Sequence, residues 1–197
     1  VHVVNHQPSS RWYSGSGIYR DVKLSVTDKV HVAKYGTTIT SPKLEEQQNG
    51  AVDTLVKSRI VNQDDQAHSV YAEYEIVDQN GQVVSEKVRS EVQSVLAGQE
   101  INLSHTLHVE KPTLWDVKTN NPALYTLYTR VYRDSQLVDV QKERFGYRYL
   151  NWTPEGGFFL NGAATKFHGV SLHHDHGALG AEENYKAEYR RLKQMKD

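Results

Sequence analysis

The chain has 197 residues, more than the roughly 100–150 of a typical domain, so we expect one domain with additional segments. Its net charge of -1 and its 38% hydrophobic content fit a globular protein and argue against nucleic acid or an acidic membrane surface as partner. No apolar run approaches the roughly 20 residues that span a bilayer, and the absence of cysteine excludes a disulfide framework and a thiol nucleophile.

The first 28 residues contain two stretches in which apolar residues alternate with polar ones, Val1–Val4 and Ile18–Val26. This period predicts two β-strands. Because an isolated pair of strands is marginally stable in water, we expect these residues to be the end of a domain that begins before Val1.

Residues 29–148 show repeated period-2 apolar runs without helical patterns between them. The clearest are Ala51–Val61, Val70–Ile76 and a closing hairpin of Leu124–Tyr132 with Gln136–Tyr147. Counting gives about seven strands, the number in an immunoglobulin-like antiparallel β-sandwich. We therefore predict a mainly β fold.

Turn residues separate these strands. Asn49-Gly50 and Asn80-Gly81 are typical of tight hairpin turns with positive φ angles, and Ala97–Glu100 separates two further strands. Trp115 precedes the closing hairpin, where we interpret it as a large structural side chain of the sandwich.

The pattern changes in residues 149–197. Asn161-Gly162 predicts a turn, Thr165–Val170 a further strand, and a polar loop follows. From about Glu182 the spacing of apolar residues predicts a helix, carried by Tyr185, Tyr189, Leu192 and Met195. A single β/α unit cannot cover its own apolar surface, so we expect a larger β/α domain to continue after Asp197.

The densest group of titratable residues lies in the loop Leu172–Gly177, which contains His173, His174, Asp175 and His176. The loop follows a predicted strand, the position at which a β/α barrel keeps its active site. We assign no metal, because three adjacent side chains cannot easily turn towards one ion and no further ligands are evident. A loop whose histidines bind only neighbouring backbone remains an alternative.

A second candidate site is the loop containing Ser10 and Trp12. An aromatic ring among small polar residues can stack on the C–H face of a sugar while its neighbours bind the hydroxyls. The alternative is a tryptophan packed at a domain junction, since tryptophan is usually buried.

Several motifs, linked in this order, resemble those of glycoside hydrolase family 2, especially its bacterial β-galactosidases. They are Ser16–Val22, Phe145–Arg148, Phe159–Gly162 and Lys166–Val170. The resemblance implies that residues 1–28 are the last strands of a sugar-binding jelly roll. It further implies that residues 29–148 are an immunoglobulin-like sandwich, and that residues 149–197 begin a catalytic (β/α)8, or TIM, barrel.

The same resemblance implies roles for the candidate site residues. Where the family often has Gly-Val-Asn-Arg-His-Glu, this chain has Gly169–His174 with Ser171 and Leu172 in place of the asparagine and arginine. His173 would contact the sugar at the subsite where the bond breaks, and Asp175 and His176 would line the pocket. Ser10 and Trp12 would reach towards it from the jelly roll.

The implied reaction is hydrolysis of terminal β-galactosides with retention by two glutamates. Both would lie beyond Asp197, so we assign no catalytic residue to this chain and expect it to be inactive alone. Glu182 and Glu183 are explained as acidic residues at a helix start.

Three alternatives remain open: a family 2 β-glucuronidase, a family 2 β-mannosidase, or a stand-alone immunoglobulin-like adhesion module. The expected partners are a β-galactoside and the other domains of the same chain. No cofactor motif is evident. The compartment stays open between a secreted or cell-surface protein and a cytoplasmic one.

Overall fold

The computed structural model describes residues 2, 4, 6, 17, 18, 20–118, 122–173, 176–180, 182 and 184–197. The chain forms two compact units. One is Val26–Lys166, and the other combines Val1–Ser25 with Phe167–Asp197.

The strands in chain order are β1 (Val30–Thr40), β2 (Ala51–Asn62), β3 (His68–Val77), β4 (Val88–Arg89), β5 (Gln93–Val95), β6 (Glu100–Glu110), β7 (Tyr125–Arg133), β8 (Gln136–Phe145), β9 (Leu150–Thr153), β10 (Gly157–Leu160) and β11 (Ala163–Ala164). The helices are α1 (Leu44–Gln47), a 3₁₀ turn at Gly177–Leu179, and α2 (Tyr185–Lys196). With 4 and 12 residues, the two α-helices of the described chain fall well short of the about 20 residues needed to span a bilayer.

Two antiparallel sheets build the sandwich. One has the order β1-β2-β6 and the other the order β4-β3-β7-β8, with β5 also paired to β3. Strand β4 pairs with Glu73 and Tyr74, whereas β5 pairs with residues 68–70, so the two short strands share one edge of β3. The sheets therefore hold seven strand positions in the described residues, and the predicted immunoglobulin-like sandwich is confirmed.

The core lies between the two sheets and follows from the alternation in the sequence. In β3, Val70, Ala72, Tyr74 and Ile76 are fully buried, and the residues between them are half-buried on the outer face. Strand β7 of the same sheet adds Leu127 and Val131, and strands β2 and β6 of the facing sheet contribute Val52, Val56, Ile60, Leu103, Leu107 and Val109. Burial of these side chains is the main source of stability for the unit.

Two tyrosines, rather than the tryptophan, are the large side chains of this core. Tyr74 and Tyr147 are almost completely buried, and each hydroxyl has a partner. Tyr74 donates to the Leu103 carbonyl oxygen at 3.2 Å, and the Tyr147 hydroxyl lies 2.8 Å from Oγ1 of Thr54. Trp115 is half-buried, and the Arg148 guanidinium lies over its ring, 4.9 Å from the ring centre. Trp115 therefore lies at the margin of the core.

A small sheet follows the sandwich within the same unit. Its order is β11-β10-β9, and Asn161-Gly162 forms the predicted two-residue turn with φ angles of 50° and 76°. The Asn161 side chain accepts a hydrogen bond from the Tyr149 nitrogen at 3.1 Å and donates to the Trp115 carbonyl oxygen at 2.9 Å. This asparagine therefore attaches the small sheet to the sandwich.

Two predicted strands are wrong where the structure describes them. Residues 17, 18 and 20–28 form no strand, and the side chains of Val22, Leu24 and Val26 are largely exposed. Thr165–Val170 also lacks strand pairing, with Phe167 and Val170 exposed. Alternation alone makes no strand, because a strand also needs a neighbour for its backbone hydrogen bonds. The predicted strand Val1–Val4 includes Val1 and Val3, which lie outside the described residues.

Two smaller predictions also need correction. Asn49-Gly50 is not a hairpin turn, because the short helix α1 precedes it and the Gly50 nitrogen donates to the Gln47 carbonyl oxygen. Neither residue has a positive φ angle. Helix α1 buries Leu44, which favours this compact connection over a tight turn. The C-terminal helix is confirmed but begins at Tyr185, so Glu182 lies before it.

Candidate functional site

The predicted sugar-contacting loop lies in the unit that contains Phe167–Asp197. Of its residues, the structure describes His173 and His176, whereas His174 and Asp175 lie outside the described residues. Ser10 and Trp12 also lie outside them. The predicted roles of His173, Asp175, His176, Ser10 and Trp12 remain predictions.

Helix α2 supports this loop from the chain's C-terminal side. It begins at the N-cap Asn184, whose Oδ1 accepts hydrogen bonds from the nitrogens of Lys186 and Ala187 at 3.1 and 3.2 Å. The cap satisfies backbone donors that the first turn would leave unpaired, and so fixes where the helix starts. Glu188 and Arg191, three residues apart, then lie on one face.

His176 ends the loop in a buried position. Its side chain is only 4% exposed, and its Nε2 lies 3.1 Å from Oε1 of Glu188, at ion-pair distance but without hydrogen-bond geometry. Its backbone nitrogen donates to the Gly180 carbonyl oxygen at 2.9 Å. Gly177 and Gly180 have φ angles of 59° and 64°, which allow the chain to turn this tightly.

His173 stands at the exposed start of the loop. Its carbonyl oxygen accepts a hydrogen bond from an Arg191 guanidinium nitrogen at 3.2 Å, and the same nitrogen lies 3.5 Å from Oε1 of Glu188. Helix α2 therefore contacts both ends of the segment 173–176. Sequence reasoning missed Glu188 and Arg191, although their i, i+3 spacing on a predicted helix was a usable signal.

The described residues give no support for a metal centre. No group of three or more histidine, aspartate and glutamate side chains among them has the arrangement to hold an ion. His168, on the approach to the loop, is exposed. His174 and Asp175 lie outside the described residues.

Packing explains the motif of residues 145–148, where the chain leaves the sandwich. Phe145 and Tyr147 contact each other edge to face, with ring centres 5.2 Å apart. A side chain at Gly146 would come within 3.0 Å of the Trp115 Cβ, and Arg148 covers the Trp115 ring. The Phe-Gly-Tyr-Arg sequence is thus explained by the end of the core.

Comparison with known proteins identifies relatives of this chain. The family model "Glycosyl hydrolases family 2" matches residues 30–148. The β-galactosidase BoGH2A of Bacteroides ovatus is 41% identical over 97% of this chain and 22% of its own length. A putative β-glucuronidase of Formosa agariphila is 31% identical over 88% of this chain and 15% of its own length.

Solved structures agree with the sequence comparison. A glycosyl hydrolase family 2 member from Bacteroides cellulosilyticus superposes with a TM-score of 0.82 at 33% identity, covering 97% of this chain and 25% of its own. A β-glycosidase from Bacteroides vulgatus gives 0.74 at 30% identity, covering 94% and 22%. The chain thus spans about a fifth of the length of the curated relatives it matches.

Proposed function

This chain belongs to the glycosyl hydrolases of family 2, and on that premise we propose that it is part of a retaining β-galactosidase. The observation that carries the proposal is the 41% identity to a β-galactosidase over 97% of the chain, which includes the loop of His173 as well as the sandwich. A stand-alone adhesion module does not account for similarity that extends so far beyond residues 29–148.

We propose a separate role for each of the three segments. Residues 1–28 would end a sugar-binding jelly roll, residues 29–148 would space it from the catalytic domain, and residues 149–197 would begin a (β/α)8 barrel. The two glutamates that a retaining glycosidase needs, roughly 5 Å apart, would come from other parts of the full-length protein. This chain would then contribute substrate contacts and no catalytic carboxylate.

In the segment that begins the barrel, His173 would bind the sugar beside the bond that breaks. A hydrogen bond from this side chain to a sugar hydroxyl would orient the ring and strengthen as the ring distorts towards its oxocarbenium-like transition state. His176, buried against helix α2, would line the pocket wall with Asp175. Ser10 and Trp12 would complete the wall from the jelly roll.

A β-glucuronidase is the second candidate, favoured by the 31% identity to a putative β-glucuronidase. The two sugars differ in charge, because a glucuronide carries a carboxylate that its site must pair with a cation or hydrogen-bond donors. A comparison of the two substrates therefore distinguishes the two candidates.

The deciding experiment expresses the full-length protein and assays p-nitrophenyl β-galactoside, β-glucuronide and β-mannoside. We expect kcat/KM to be highest for the galactoside, and the isolated chain to hydrolyse none of the three. Preference for the glucuronide would support the second candidate. Hydrolysis of none by the full-length protein would refute both enzyme proposals.

A further inference from the structure

We propose that Arg191 is a positioning residue for catalysis, which acts by holding the main chain of His173 in place. This inference rests on the proposed glycosidase function and adds a residue on helix α2 to it. Arg191 is not assigned a contact with the substrate.

The first support is the contact itself. The Arg191 guanidinium donates to the His173 carbonyl oxygen at 3.2 Å, across 18 positions of sequence. A hydrogen bond from a charged donor is stronger than one between neutral groups. Fixing the carbonyl of His173 limits rotation about its ψ angle, and so restricts the direction in which its Cα–Cβ bond leaves the main chain.

The second support is that the guanidinium is itself held. Oε1 of Glu188 lies 3.5 Å from the same nitrogen, and the pair has the i, i+3 spacing that brings helix side chains together. Glu188 also approaches Nε2 of the buried His176. One carboxylate thus links the guanidinium at the start of the loop to the imidazole at its end.

The third support is that the helix carrying both charges has hydrogen-bonded ends. Helix α2 is capped by Asn184, and its last turn includes the bond from the Asp197 nitrogen to the Lys193 carbonyl oxygen. Loops that carry functional residues are precise when a regular element fixes them. The position of His173 is therefore coupled to the helix through Arg191.

The test uses the full-length protein and whichever p-nitrophenyl glycoside the wild type cleaves fastest. The variants are Arg191→Ala, Arg191→Lys, His173→Ala and the double variant Arg191→Ala/His173→Ala. Arg190→Ala is the matched control, because it removes the same type of side chain from the neighbouring helix position, where it is exposed, whereas Arg191 is half-buried. Thermal unfolding of each variant is followed in parallel.

We expect Arg191→Ala to lower kcat/KM about 10- to 100-fold, the order of effect that misplacement of a site residue produces, mainly through kcat. Arg190→Ala should stay within about twofold of the wild type. Arg191→Lys should lose less than the alanine variant, since lysine keeps the charge but not the planar fork. If the alanine variant does not fold, the lysine variant should still lose several-fold without a change in unfolding temperature.

The double variant distinguishes positioning from general support of the fold. If Arg191 acts through His173, the double variant should be no less active than His173→Ala alone. Multiplicative losses, or an Arg191→Ala enzyme as active as the wild type, would overturn the inference while the glycosidase function stands. A wild type that cleaves none of the glycosides would instead refute the proposed function and this inference with it.

Discussion

The Nδ1 atom of His68 lies 2.7 Å from Oδ2 of Asp134, which joins the start of β3 to the turn between β7 and β8. On its other side, Nε2 lies 3.1 Å from Oδ2 of Asp64, and Oδ1 of Asp64 accepts a hydrogen bond from Lys29 at 2.9 Å. Imidazole donates from both nitrogens only when it is protonated. The contacts therefore favour a charged His68, and Arg133 is the cation nearby that opposes it.

The directions of the pKa shifts agree with this geometry. The bond to Asp134 raises the pKa of His68 above 6.5, despite burial. The bond from Lys29 lowers the pKa of Asp64, and the bond from His68, followed by that from the Ser69 nitrogen, lowers the pKa of Asp134. The aspartates thus stabilise the fold above their ordinary pKa and lose that contribution as pH falls through the lowered values. The contribution of His68 is full below 6.5 and is lost as pH rises through its raised pKa.

The first prediction is a pH-dependent loss of stability in His68→Gln. The free energy of unfolding of this variant should fall furthest below that of the wild type at about pH 5–6, and the gap should narrow by about pH 9. Urea denaturation of the 197-residue chain across this range measures the gap. His105→Gln is the control, because the His105 ring nitrogen lies 2.9 Å from the Thr106 carbonyl oxygen rather than from a carboxylate. A gap that does not change with pH would contradict the charged state of His68.

The second prediction concerns the buried pair Tyr147 and Thr54. Tyr147→Phe should lower the free energy of unfolding by about 1–2 kcal/mol, because the buried Thr54 hydroxyl loses its 2.8 Å partner. Burial raises the pKa of Tyr147, as expected of a hydroxyl that stays neutral in the core. Urea denaturation is the measurement.

The control for that prediction replaces both partners. In Tyr147→Phe/Thr54→Val both hydroxyls of the 2.8 Å pair are removed, and only the longer 3.4 Å bond from Ser41 Oγ to Thr54 is lost without compensation. The double variant should therefore be less destabilised than the sum of the two single variants. Additive losses would mean that the two hydroxyls stabilise the core independently.

The alternation of apolar and polar residues predicted the sandwich well, because burial of the apolar residues determines which face of each strand points into the core. Strand β3 has a buried residue at every second position from Val70 to Ile76, and a slip of one residue would turn Tyr74 and Ile76 to the outer face. Asn161-Gly162 was likewise predictable, because its two positive φ angles suit this residue pair. The Asp134-Ser135 turn also has positive φ angles, 49° and 68°, but lacks glycine. Its stability comes from distant partners such as His68, which no local pattern reveals.

The site was less predictable for a related reason. The histidine-rich loop stood out by composition, but what holds it depends on a contact between His173 and Arg191 that only the fold creates. Thr165–Val170 shows the opposite failure, since its local pattern favours a strand that has no ladder partner among the described residues. A local sequence pattern predicts which face of a strand is buried, whereas strand pairing depends on the neighbouring strand that the fold supplies.

The third prediction tests how the small sheet is attached to the sandwich. Asn161→Ala removes the bonds to the Tyr149 nitrogen and the Trp115 carbonyl oxygen and places alanine at a φ angle of 50°. We expect a loss of about 2–3 kcal/mol in the free energy of unfolding, from two hydrogen bonds and one strained backbone position. Asn161→Gly should recover the backbone part of this loss only. Equal stability of the two variants would assign the whole effect to the lost side-chain bonds.

The fourth prediction concerns Trp12, whose proposed sugar contact is a stacking interaction. In the full-length protein, Trp12→Ala should raise KM for the preferred glycoside roughly fivefold, because the loss of one aromatic contact of about 1 kcal/mol weakens binding to that extent. Trp12→Phe should retain most of the affinity, since it keeps an aromatic face. If Trp12 instead packs at a domain junction, both substitutions should lower the unfolding temperature and leave KM unchanged. Steady-state kinetics and thermal unfolding, measured on the same preparations, separate the two roles of this side chain.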